Sequence, residues 1–271
     1  MIAAFCNGER ISALPLDSRA AHYGDGAFTT IRAHAGRLCN WRLHRQRLHA
    51  ACLALHLCEP DWLAIESMLE RETATLAAGV VKLALVPQAQ GRGYARVWPS
   101  VCDVYVFAYA AAAVDSATYR DGITLDLSYR DTAGGDISGI KTLSRLDQVL
   151  AAPTAAMHDV LICDRDGFIC AAQQANVFAL FDRHWITPPA RQGVIAGVMR
   201  AALLQSPPLG FSARVQVMHR DALNHADALI LCNAVRGIVP VCRLGERIYA
   251  QRDGIRALMH VFHPELGLPD A

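Results

Sequence analysis

Of the 26 lysines and arginines in this chain only two are lysines, Lys82 and Lys141. Where a sequence uses arginine for surface charge, a retained lysine is chemically distinctive. An ammonium can lose its proton and attack a carbonyl to form an imine, which a guanidinium cannot do. Lys141 stands in G-I-K-T-L-S-R-L, after a loop rich in Gly and Asp (Gly134, Gly135, Asp136, Gly139). Two readings of it are open: a charge covering a helix start, or a nucleophilic amine. The 11 histidines show no H-E-x-x-H or comparable spacing, and the 9 cysteines form no C-x-x-C pair. No metal site is expected from them.

The elements that must position Lys141 follow from periodicity and punctuation. The pattern predicts strands at Ile2–Cys6 and Ala27–His34, the second ending in an A-G turn at Ala35–Gly36. A helix is expected from Trp41 to about Leu57, with Trp41, Leu48, Cys52 and Leu55 on one face. A second follows Pro60, capped by Asp61 and ending at Gly79. Strands at Val80–Pro87 and Val101–Tyr109 flank a G-R-G-Y turn at Gly91–Tyr94. The small-residue stretch after Ala110 reads as a linker at 113–119, dividing an N-terminal α/β domain (1–112) from a C-terminal domain (120–271). In the second part, Lys141 is expected to open a helix running to about Ala152, and Val194–Leu204 to form another. The D-R-D-G turn predicts a hairpin of Asp159–Cys163 with Phe168–Ala172. Strands are expected at Gly122–Tyr129, Asn176–Phe181, Ala228–Cys232 and Ile238–Cys242.

The whole is a globular α/β composition: 53% hydrophobic and 19% charged residues, with a net charge of +1 that gives no basic excess for nucleic acid. The longest apolar run, Val104–Val114, is about half of the ~20 residues a membrane helix needs. The first ten residues lack a signal-peptide pattern. An odd number of cysteines, mostly within apolar runs, suits a cytoplasmic protein with reduced thiols.

Seven short motifs occur in order. They are G-D-G-A-F-T-T-I-R (Gly24–Arg32), H-R-Q-R-L (His44–Leu48), G-R-G-Y, and G-I-K-T-L-S-R-L-D-Q-V-L (Gly139–Leu150). A-N-V-F (Ala175–Phe178), G-V-I-A-G-V-M-R (Gly193–Arg200) and C-N-A-V-R-G-I-V-P-V (Cys232–Val241) complete the set. Together they resemble the fold-type IV pyridoxal-phosphate family, which includes branched-chain and D-amino-acid aminotransferases and aminodeoxychorismate lyases. The resemblance implies a smaller N-terminal α/β domain and a larger C-terminal pseudobarrel-like domain with pyridoxal 5'-phosphate between them, in a homodimer.

By that resemblance Lys141 carries the cofactor as a Schiff base and shuttles protons. Arg47 either binds the cofactor phosphate or is a surface arginine on an amphipathic helix; the backbone amides of Ile195 and Ala196 meet the phosphate, where a helix start would receive an anion. Ala234 stands where the family has a Ser or Thr touching phosphate, leaving its backbone or the neighbouring Asn233 to contribute. Arg145 stands where many relatives carry a Tyr near the cofactor phenolate. The T-T-I-R ending, the G-R-G-Y turn and the N-A-V-R-G stretch are more similar to the lyase branch. That branch converts 4-amino-4-deoxychorismate to 4-aminobenzoate and pyruvate. Arg92 and Arg236 are then either clamps for the two substrate carboxylates or solvated loop arginines. Thr30 either holds a water or proton near the reacting carbons or is a plain strand residue.

Two positions depart from the family. Five residues before Asn176 it places a Glu that protonates the pyridine nitrogen; here that residue is Ala171. Gln173, two positions on, could offer a neutral hydrogen bond instead. An R-G pair common in lyases is Pro87–Gln88 here. A transaminase of the same fold and a cofactor-binding homologue without catalysis are the competing expectations.

Overall fold

A computed structural model describes residues 1–74, 76–89, 93–128, 137–151, 158–190, 194–250 and 253–270. The chain divides into two units: Met1–Ala112 with Ile140–Arg145, and Ala113–Gly139 with Leu146–Ala271. The short segment carrying Lys141 therefore packs with the N-terminal unit, whereas a division at residue 112 alone would assign it to the C-terminal one.

The first unit contains β1 (Ala3–Cys6), β2 (Glu9–Arg10), α1 (Arg19–Tyr23), β3 (Ala27–His34), β4 (Arg37–Leu38), α2 (Trp41–Ala54), α3 (Trp62–Thr73), β5 (Ala78–Pro87) and β6 (Cys102–Ala110). Its sheet runs β2-β1-β6-β5-β3-β4, with antiparallel pairing throughout. Alternation along β3 buries Ala27, Thr29, Ile31 and Ala33. Ile31 meets Leu48 and Cys52 of α2, Leu69 of α3, and Val81, Leu83 and Leu85 of β5 in one core. Burying each aliphatic side chain of this kind is worth roughly 1.5–3 kcal/mol. Trp41 and Leu55 pack against the same core. Asp61 caps α3 as expected, its carboxylate accepting from the amides of Leu63 and Ala64, each at 3.0 Å.

Lys141 does not open a helix. Residues 141–143 run as an extended strip beside β3: Phe28 N–H donates to the Lys141 carbonyl at 2.9 Å, Ala27 bridges Thr142, and Leu143 N–H donates to the Gly26 carbonyl at 2.9 Å. The free edge of β3 supplies donors and acceptors that a helix start would have left unmet. Gly26 makes the approach possible. Its φ is +130°, and a Cβ there would lie 2.5 Å from the Leu85 carbonyl and 2.9 Å from the Leu143 side chain.

The second unit contains α4 (Ser116–Asp121), β7 (Ile123–Ser128), α5 (Leu146–Leu150), β8 (Asp159–Cys163), β9 (Ile169–Ala172), β10 (Asn176–Phe181), β11 (His184–Thr187), α6 (Val198–Gln205), β12 (Ser212–Val215), β13 (Ala228–Asn233), β14 (Gly237–Leu244), β15 (Arg247–Ile248) and α7 (Asp253–Leu266). The expected linker 113–119 holds the start of α4, where Asp115 caps the amide of Ala117. The sheet order is β12-β11-β10-β13-β14-β7-β8-β9, with β15 on β14. Beyond its two ends, Ile169 N–H donates to the Met218 carbonyl at 2.8 Å and Phe168 bridges His219. The sheet thus curls until the segment after β12 meets β9, giving a barrel-like layer. The helix expected at Val194–Leu204 begins four residues later, at Val198, because Val194 and Ala196 are paired in extended form with Gly139.

Candidate active site

In the antiparallel register of the strip, Lys141 stands opposite Phe28, so its side chain shares a face with Phe28 and Thr30. Its Nζ lies 4.7 Å from the centre of the Phe28 ring. Lys82, the cross-strand partner of Thr30, places its own Nζ 4.5 Å from the same ring. The only two lysines of the chain therefore converge on one phenylalanine. Burial, then the charges of Arg47, Arg145 and Lys82, push the Lys141 pKa down from 10.5 to about 8. Burial also lowers Lys82. An amine tuned in this way is partly neutral near physiological pH, the form that can attack a carbonyl.

Arg47 reaches from α2 to donate from Nη2 to the Thr29 hydroxyl, and its buried Nε has no partner among the described residues. Burial lowers its pKa to about 10, which leaves it cationic at neutral pH. Arg145 donates from Nε to the Ser144 carbonyl and from Nη2 to the Thr142 hydroxyl, both at 2.7 Å. Among the described residues no carboxylate pairs with Lys141, Lys82 or Arg47. Shielded positive charge without a counter-ion is costly and creates a place for an anion.

Beside this cluster, Asp25 of the G-D-G motif binds Arg19 at 2.8 Å and Arg96 at 3.4 Å. Arg19 also donates to the carbonyls of Gly93, Tyr94 and Ala95, tying the end of the G-R-G-Y turn to α1. Arg92 itself lies outside the described residues.

In the second unit, Ala196 N–H donates to the Gly139 carbonyl at 2.9 Å, and the Ile195 carbonyl accepts from Asn176 Nδ2 at 2.9 Å. The Ala196 amide, expected at the phosphate, is thus paired with the Gly139 carbonyl. The amides that a helix leaves without an intrahelical acceptor are those of its first turn, here Val198 and Met199. Gly197 precedes them because a Cβ at that position would fall 1.9 Å from Asn176 Oδ1. The A-N-V-F and A-G-V-M-R motifs meet at this point.

Asn233 is also engaged: its Oδ1 accepts from the amides of Val235 and Arg236 at 3.0 and 2.8 Å, and its Nδ2 donates to the Gln174 carbonyl. It shapes the turn that holds Ala234 and presents Arg236, leaving its amide little freedom to meet a phosphate. The Arg236 carbonyl accepts from Tyr119 Oη at 3.0 Å. Gln173 donates one N–H of Nε2 to the Gln148 carbonyl at 2.8 Å, which ties its side chain to α5.

Lys82, Phe28, Thr29, His44 and the amides of Val198 and Met199 were not singled out by sequence. The scarcity of lysine was the one available signal for Lys82; the others depend on strand pairing and on where α6 starts.

Lysine amines over an aromatic ring, with the buried Arg47 guanidinium beside them, suit an anionic carbonyl cofactor. Residues 26–244 match the amino-transferase class IV model, and the chain belongs to that family. This is a class of pyridoxal-phosphate enzymes, and the aldehyde and phosphate of that cofactor fit the lowered Lys141 amine and the cationic Arg47 guanidinium.

The chain is 27% identical over 242 residues to an aminodeoxychorismate lyase from Vibrio harveyi, covering 87% of this chain and 89% of that protein. It is 30% identical over 215 residues to a bifunctional aminodeoxychorismate lyase / D-amino acid transaminase from Mycobacterium tuberculosis, covering 71% and 72%. The crystal structure of 4-amino-4-deoxychorismate lyase from Pseudomonas aeruginosa superposes with a TM-score of 0.87 at 27% identity, over 96% of this chain and 98% of that one. The expectations of a fold-type IV α/β architecture and a pyridoxal-phosphate enzyme hold.

Proposed function

We propose that the protein is a lyase that converts 4-amino-4-deoxychorismate to 4-aminobenzoate and pyruvate, with Lys141 as the group that holds the cofactor and moves protons. The observation that carries this reading is the Lys141 amine, lowered to about 8 and set against Phe28 beside Arg47, Arg145 and Lys82. Similarity to the lyases of Vibrio harveyi and Pseudomonas aeruginosa supports the particular reaction.

When bound, pyridoxal phosphate supplies an electron sink for the bond-breaking at the substrate. Arg47 holds its phosphate, and Arg145 stabilises its phenolate oxygen. The neutral Lys141 amine takes the proton beside the substrate nitrogen and returns it to the methylene carbon of the departing pyruvate. Arg92 and Arg236 bind the two substrate carboxylates. Lys82 adds a third cation on the same strand face as Thr30, which holds a water or proton at the reacting carbons. The working form is a cytoplasmic homodimer; all nine cysteines are free, and no helix among the described residues is long and apolar enough to cross a membrane.

The bifunctional relative from Mycobacterium tuberculosis keeps a transaminase as the second reading. The test is incubation of purified protein with enzymatically made 4-amino-4-deoxychorismate. Equal amounts of 4-aminobenzoate and pyruvate are expected. An oxo acid with pyridoxamine phosphate from amino-acid substrates, and no 4-aminobenzoate, would favour the transaminase.

A further inference from the structure

Thr29 and His44 are both fully buried, at 0% exposure, on the core side of β3 and α2. His44 Nδ1 lies 2.6 Å from Thr29 Oγ1, and Arg47 Nη2 donates to the same oxygen. His44 Nε2 is buried without a hydrogen-bond partner among the described residues.

The direction of this chain follows from counting donors. A guanidinium only donates, so Thr29 accepts from Arg47. If the Thr29 hydroxyl then donates to His44 Nδ1, both of its roles are met and only one polar group, His44 Nε2–H, stays unpaired. The reverse arrangement leaves two groups unpaired, the hydroxyl hydrogen and the Nε2 lone pair. Unpaired buried groups are costly, so the relay runs Arg47 N–H to Thr29 O–H to His44 Nδ1. An imidazolium has no lone pair to end such a relay. Burial and the charge of Arg47 hold His44 well below its usual pKa and keep it neutral.

We propose that Thr29 and His44 are positioning residues that fix the Arg47 guanidinium for the cofactor phosphate, an inference that rests on the phosphate-binding reading of Arg47. A planar guanidinium recognises phosphate through its orientation as well as its charge. One nitrogen of the fork is anchored to Thr29, so the plane is set before an anion arrives. No carboxylate is needed to hold the side chain, and its charge stays available to the ligand.

The experiment compares full-length variants, freed of cofactor, in titrations with pyridoxal phosphate and with pyridoxal, which lacks the phosphate. Thr29→Val and His44→Phe are expected to weaken pyridoxal phosphate binding about tenfold, as loss of one charge-assisted hydrogen bond would, and to leave pyridoxal binding nearly unchanged. His44→Asn, whose side-chain oxygen can stand in for Nδ1, is expected to recover most of the affinity. Equal weakening toward both ligands, no change for pyridoxal phosphate, or identical behaviour of His44→Asn and His44→Phe would overturn the relay. Arg47→Ala serves as reference. If it discriminates between the two ligands while the relay variants do not, the relay alone fails; if it does not discriminate, the phosphate reading fails and takes the relay with it.

Discussion

At the scale of single residues, the electrostatics around Lys141 make a signed prediction. Imine formation needs the neutral amine, and burial, then the neighbouring cations, favour that form by opposing protonation. The rate at which cofactor-free protein recaptures pyridoxal phosphate should rise with pH through a midpoint near 8. Lys82→Met removes one of the opposing charges, so the midpoint should move upward. A midpoint near the ordinary 10.5, or a downward move, would contradict the role assigned to the cluster. The arginines divide by task. Arg47→Ala should weaken cofactor binding by roughly 1.5–3 kcal/mol, as expected for a charge-assisted contact. Arg236→Ala should raise KM for the substrate and leave cofactor retention alone, which cofactor titration beside steady-state kinetics checks. Lys141 and Arg47 could be proposed from sequence because lysine is rare here and the H-x-x-R-L motif is compact. Thr29 and His44 were not, since a buried threonine and a buried histidine look like core residues until β3 and α2 are docked.

At the scale of elements, what sequence reading missed is the backbone around Lys141. A loop followed by T-L-S-R-L suggests a helix start, yet the free edge of β3 recruits residues 141–143 as a strand-like strip and delays α5 to Leu146. Edge pairing is decided by distant residues, so local periodicity cannot report it. Gly26 is the hinge of that arrangement. Gly26→Ala would force a Cβ to within 2.5 Å of the Leu85 carbonyl at a φ of +130°. We expect a cost of about 2 kcal/mol or more, seen as a lower Tm together with weaker cofactor retention. An unchanged Tm would show that the strip does not depend on this approach.

The β8–β9 hairpin was read correctly from its D-R-D-G turn, and it places Ala171 opposite Ile162. By resemblance Ala171 stands where the family carries a glutamate, and neither it nor Gln173 has an acidic side chain. The wild type should therefore convert D- or L-alanine poorly to an oxo acid with pyridoxamine phosphate. Ala171→Glu should increase that conversion, as single-turnover absorbance would record. Rapid pyridoxamine phosphate formation by the wild type would contradict this account of the alanine.

At the scale of the whole molecule, the order of motifs carried the family and the fold, because each motif marks a place where backbone geometry is constrained. Gly26 at its close approach and Gly197 against Asn176 are two such places. The fate of individual amides, such as that of Ala196, depended on pairing with Gly139, far away in sequence. The rarity of lysine across the chain also makes the central claim directly measurable, since only Lys82 and Lys141 can hold an aldehyde through a side-chain amine. Both lie against Phe28, but Lys141 is the one whose amine is lowered to about 8. Borohydride reduction of the purified, cofactor-loaded protein, followed by peptide mapping, should find the reduced cofactor on Lys141, with none captured by Lys141→Ala. Recovery of the cofactor on Lys82, or on neither lysine, would contradict the account.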